Sequence, residues 1–84
     1  MGREPILDAK KKKIGYIETR PNGNSVITDI HFRKLGELKV SGNRIEAYNA
    51  KFQKLGYYDK PHDATFDRSF KKLGKGNLLL NFFF

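Results

Sequence analysis

Three observations predict an all-β domain of consecutive hairpins: a phrase written four times, turn signals between the copies, and period-two alternation of apolar residues around each copy. The copies are DAKKKKIG (8–15), DIHFRKLG (29–36), NAKFQKLG (49–56) and DRSFKKLG (67–74). Their glycines, Gly15, Gly36, Gly56 and Gly74, are separated by 21, 20 and 18 residues. A chain of 84 residues is one domain, 1–84, divided into hairpin units at about 4–21, 22–42, 43–60 and 61–76 and an apolar segment at 77–84.

Each copy opens on an Asx residue: Asp8, Asp29, Asn49 or Asp67. Asp and Asn side chains accept hydrogen bonds from backbone amides two residues on, which starts a turn. The outgoing strand then runs from near the Lys through the Gly, at 12–19, 34–40 and 54–59. PNGN (21–24), SGN (41–43) and KPHD (60–63) turn the chain, and it returns at 25–29, 44–49 and 64–67.

Alternation puts Gly15 and Ile17, Gly36 with Leu38 and Val40, and Gly56 and Tyr58 on one face, leaving Tyr16, Glu37, Lys39 and Tyr57 on the other. A glycine recurring on the apolar face implies close approach of another segment; a β-bulge that bends each strand is the alternative. The segment that could approach is the C-terminal run Leu78, Leu79, Leu80, Phe82, Phe83 and Phe84, with Asn77 placed to cap a short helix that plugs the hairpins. Phe32, Phe52 and Phe70 occupy bend positions where glycine is usual. Ordinary negative φ is expected there, with each Phe packed on Leu35, Leu55 or Leu73 three residues later; an exposed aromatic rim for a ligand or membrane is the alternative.

These residues resemble the four-fold beta flower proteins, small and mostly uncharacterised bacterial proteins. The resemblance runs from Ile6 to Phe84 and is most specific over Asp67–Leu79, DRSFKKLGKGNLL. It implies a small pseudo-four-fold barrel of four hairpins with the hydrophobic C-terminal helix or segment at its centre. At fold level it is also similar to the Tubby-like and scramblase-like barrels, some of which bind phosphoinositide or membrane. Phe at the bends departs from the Gly common in related repeats. The resemblance implies no catalytic residue.

Composition narrows the chemistry. The chain lacks cysteine, and its two histidines, His31 and His62, are far apart, so disulfides and a structural zinc site are not expected. Ser25, Ser41 and Ser69 lie at turns without an activating His, and His62–Asp63 follows Pro61 in a turn. Asp8, Asp29 and Asp67 read as bend starters rather than a metal ring, because Asn49 holds the fourth position. No catalytic residue, cofactor or metal is therefore expected, and the chain reads as a non-enzyme.

Lys and Arg exceed Asp and Glu by 17 to 9, a net charge of +8 that attracts phosphate-bearing partners. Lys12, Lys13, Arg33, Lys34, Lys54, Lys71 and Lys72 recur at equivalent positions and form a candidate basic rim; lysines that guard strand edges would look the same. The reading favoured is an interaction module that engages an anionic membrane surface or an apolar ligand. Alternatives are a nucleic-acid-binding small barrel with Tyr16, Tyr57 and Tyr58 stacking on bases, and a structural protein that binds a protein partner or its own copies through Phe82–Phe84. The start MGREPILDAKKKK has no apolar run of a signal peptide, and NLLLNFFF is too short to cross a bilayer, which needs roughly 20 apolar residues. A cytoplasmic protein, peripheral to a membrane, is expected.

Overall fold

The computed structural model describes residues 2–84 and contains one antiparallel sheet of eight strands. In chain order these are β1 (Gly2–Leu7), β2 (Lys13–Thr19), β3 (Ser25–Asp29), β4 (Lys34–Ser41), β5 (Arg44–Asn49), β6 (Lys54–Asp59), β7 (Ala64–Asp67) and β8 (Lys72–Lys75). Every strand pairs with its neighbours in sequence, so the sheet is a simple meander. A single 3₁₀ turn, Leu79–Phe82, follows it. The molecule measures 32 × 30 × 22 Å, wider than it is deep.

One hydrogen-bond scheme closes the bends after β1, β3, β5 and β7. In each, the Asx amide donates to the carbonyl four residues on, and the Asx carbonyl accepts the amide three residues on, at 2.9–3.1 Å. The Asx side-chain Oδ1 then accepts the amides two and four residues on, at 2.8–3.0 Å. Six backbone groups of a tight loop are thereby satisfied locally, which explains why Asp or Asn stands there.

The geometry is a three-residue loop whose last residue takes the left-handed conformation. Those residues are Lys11, Phe32, Phe52 and Phe70, at φ of 64°, 63°, 62° and 65°. This corrects the expectation of ordinary φ for the phenylalanines. The Asx hydrogen bonds impose the loop whichever residue sits last, at a steric cost of roughly 1–2 kcal/mol for a residue with a Cβ.

Register shifts place one bulge immediately after each bend. Ile6 opposes Gly15 while Leu7 opposes Lys13, leaving Ile14 unpaired, and Leu35, Leu55 and Leu73 are the equivalent extra residues. A bulge re-aims a side chain, and here Ile14, Leu35 and Leu55 pack against the core cluster of Ile6, Ile27, Leu38, Ala47 and Leu79. Leu35 and Leu55 are thereby turned to the core, and the aromatic partners of the phenylalanines are tyrosines on the other face. Phe32 instead stacks on Tyr16 at 4.8 Å, and Phe70 meets Tyr57 edge-on at 6.0 Å.

Beside each bulge lies its glycine, and the C-terminal segment meets all four. A Cβ on Gly15 would collide with the Phe84 ring, on Gly36 with Phe83, on Gly56 with Phe82 and on Gly74 with Leu78. Leu79 is fully buried, and Leu80 also packs on the cluster. Thr65 on β7 anchors the segment: its Oγ1 donates to the Gly76 carbonyl at 2.7 Å and accepts the Leu78 amide at 2.9 Å. The Asn77 side chain accepts the Leu79 amide at 3.1 Å, although the 3₁₀ turn itself begins at Leu79.

The sheet does not close into a barrel, which corrects the ring expected from the resemblance. Strand order ends at β1 and β8 with no pairing between them. β8 stops at Lys75 because Gly76, at φ 83°, turns the chain onto the inner face, leaving only four residues as an edge. On β1, Pro5 removes a donor and Arg3 and Glu4 add charge, devices that discourage pairing with other strands.

The bends also make stability depend on pH. The Arg33 amide chiefly, then the His31 amide and the Arg33 guanidinium, hold the Asp29 carboxyl below its ordinary range. On the neighbouring sheet face, hydrogen bonds from Lys54 and then Tyr48 do the same for Glu46. A depressed folded-state pKa stabilises above the unfolded-state value and loses that effect as pH falls through the folded one. Urea midpoints are expected to be flat above about pH 5 and to fall below about pH 4. Asp29→Asn should flatten part of the fall while preserving the bend, since Asn49 already makes the two amide bonds in its own bend.

Candidate functional site

Meander topology sends the four Asx bends to one end of the sheet and the turns at 20–24, 42–43 and 60–63 to the other. The segments 8–13, 29–34, 49–54 and 67–72 hold eleven Lys and Arg against three Asp. The rest of the chain holds six residues of each sign, so the entire net charge of +8 resides at the bend end. Almost all of these basic residues are exposed, Lys54 being half-buried.

All seven rim residues read from the sequence lie at this end, but they divide into two groups. Arg33 pairs with Asp29 at 3.1 Å, Lys34 with Glu37 at 3.2 Å, and Lys54 with Glu46 at 2.9 Å. Among the described residues Lys12, Lys13, Lys71 and Lys72 form no ion pair; they belong to the first and last bends. Lys10, Lys11, Lys51 and Arg68 join them at the bend end, a group that aligning on the Lys before Ile or Leu did not collect.

Aromatic rings run through the basic surface on the sheet's outer face. The Arg3 guanidinium lies 5.1 Å from the Phe32 ring centre, Lys34 Nζ 5.0 Å from Phe52, and Arg44 4.5 Å from Tyr57. Lys39 reaches both Tyr48 and Phe52, at 5.2 and 5.8 Å. Such contacts hold the Phe32 and Phe52 rings, and Tyr57 holds Phe70 edge-on, without covering them: Phe32, Phe52 and Phe70 remain 56%, 62% and 67% exposed. On the outer face the aromatic groups most open to a partner are these three, held at the bends, while Phe84 is exposed on the C-terminal segment.

The tyrosines named for base stacking are placed differently. Tyr57 is buried and stacked on Phe66 at 5.2 Å, Tyr58 packs against the core, and Phe32 stacks on Tyr16. Tyr58 also donates to Asp63 at 2.6 Å, and that bond chiefly raises its pKa. Asp8, Asp29 and Asp67 are each occupied by the amides of their own bends. Of the C-terminal candidates, Leu79, Leu80, Phe82 and Phe83 belong to the core or pack on it, while Phe84 is half exposed.

A pocket of about 520 Å³ opens between the first bend and the C-terminal segment. Its walls include Ile6, Leu7, Ile14, Leu78, Leu80 and Phe84. Among the described residues no helix is long and apolar enough to cross a membrane. Compared with protein-family models, curated proteins and solved structures, the chain matches none.

Proposed function

We propose that this protein is a non-enzymatic binding module, built from four hairpin units in the manner of the beta flower proteins, whose bend end docks on an anionic membrane surface. The observation that carries this reading is the coincidence, at one end of one sheet, of the whole net charge and three exposed phenylalanines. Basic residues near an anionic surface contribute about 1 kcal/mol each, and aromatic side chains at the headgroup level add apolar burial. Contact is peripheral, at the cytoplasmic leaflet, where anionic lipids set a negative surface potential.

The phenylalanines themselves supply a test that separates docking from folding. A Phe32→Gly, Phe52→Gly, Phe70→Gly variant places glycine at φ near 63°, where it is unstrained. Relief of roughly 1–2 kcal/mol per bend offsets the lost ring contacts, worth about 0.5–1.5 kcal/mol each, so the variant should fold. Co-sedimentation with phosphatidylglycerol vesicles should show binding by the parent protein at low salt and at least tenfold weaker binding by the variant. A parent protein that ignores such vesicles yet shifts single-stranded DNA or RNA replaces this reading with the nucleic-acid one. A parent that binds neither but self-associates replaces it with the structural one.

A further inference from the structure

We infer that the pocket beside the first bend takes the hydrocarbon chain of a free fatty acid, with its carboxylate held by the lysine run Lys10–Lys13. The cleft lies on the β1 side of the open sheet, walled by β1, the first bend, Ile14 and the C-terminal segment. Leu7 and Phe84 at this cleft are 49% and 46% exposed. The volume of about 520 Å³ lies within the roughly 300–1,000 Å³ of small-molecule sites.

Placement of charge selects the ligand. Ala9 and Ile14 both line the pocket, and they bracket the four lysines in sequence. Lys10–Lys13 are exposed and form no ion pair among the described residues. Three polar side chains stand in the wall: Asp8, whose Oδ1 accepts the Lys10 and Lys12 amides, Asn77, whose Oδ1 accepts the Leu79 amide, and Asn81; the other seven lining residues are apolar. A ligand for this cleft is therefore apolar along most of its length and anionic at one end. A free fatty acid meets both demands and needs no bilayer, so the inference stands apart from vesicle docking.

The experiment is a titration of the full chain with octanoate, decanoate and dodecanoate below their micelle-forming concentrations, followed by backbone-amide NMR. Expected are saturable one-to-one binding that tightens with chain length, by up to roughly fourfold per added methylene, and shifts at Leu7, Ile14 and Leu80. Leu7→Asp, at a half-exposed position, should weaken dodecanoate at least tenfold. Ala9→Trp, on an exposed bend residue that lines the pocket, blocks it by bulk and serves if Leu7→Asp loses its dispersed spectrum. Replacing Lys10, Lys11 and Lys13 by Gln should weaken dodecanoate at least fivefold and leave dodecanol unchanged. Non-saturating binding, shifts centred on Phe32, Phe52 and Phe70, or indifference to both pocket variants overturns the inference.

Discussion

Gly36→Ala is expected to lower folding stability by about 3 kcal/mol, the upper end of ordinary overpacking, and the melting temperature by roughly 12–24 °C. The added methyl would run into the Tyr48 carbonyl and the Phe83 ring at once. A ring edge can rotate away, but the carbonyl belongs to β5, which pairs with both β4 and β6. The sheet must therefore shift or lose ladder bonds. Adding Phe83→Ala relieves only the ring contact, so the double variant should remain well below the parent. Gly42→Ala is the control: nothing lies within 4 Å of its Cβ position, and only its φ of 58° opposes the change.

Leu79→Ala should cost about 3 kcal/mol, within the 2–5 kcal/mol seen when a buried leucine is truncated. Leu79 is fully buried, in the core cluster with Ile6, Ile27, Leu38 and Ala47. An 84-residue domain has a total of roughly 4–13 kcal/mol to lose. Urea unfolding should show a lower midpoint with an unchanged slope. Leu73→Ala should change stability by less than about 1 kcal/mol, because Leu73 is 48% exposed. Equal effects at Leu79 and Leu73 would mean that the C-terminal segment does not seal the core.

Most strand positions were readable because local chemistry sets them. Strands β3, β5, β6 and β7 occupy 25–29, 44–49, 54–59 and 64–67, each bounded by an Asx bend or a Gly or Pro turn. Residue preference misled at Phe32, Phe52 and Phe70, where two amide hydrogen bonds accepted by the Asx side chain outweigh the dislike of phenylalanine for positive φ. The bulges escaped simple alternation: an extra residue turns Leu35 and Leu55 inward, although period two assigns them to the outer face. The open seam was also not visible, since it depends on where Gly76 diverts the chain.

For the candidate site, the gathering of basic residues followed from the bend positions, whereas the exposed phenylalanines stood only as the less favoured alternative to Phe–Leu packing. Arg44 approaches the Tyr57 ring only because register brings Glu46 opposite Tyr57, a long-range fact that spacing cannot supply. The reverse holds for charge. Once bends and turns alternate along a meander, counting charges by segment is enough to find that one end holds the whole excess.

That asymmetry allows a test in which net charge is held constant. Lys51, Arg68 and Lys71 at the bend end and Arg20, Lys60 and Lys75 toward the far end are all exposed, and none forms an ion pair among the described residues. Reversing either trio to Glu gives variants of identical net charge. Co-sedimentation with phosphatidylglycerol vesicles at low salt is predicted to fall at least tenfold for the bend-end trio and less than twofold for the far-end trio. Equal losses from the two variants would contradict an oriented docking face and leave only overall charge at work.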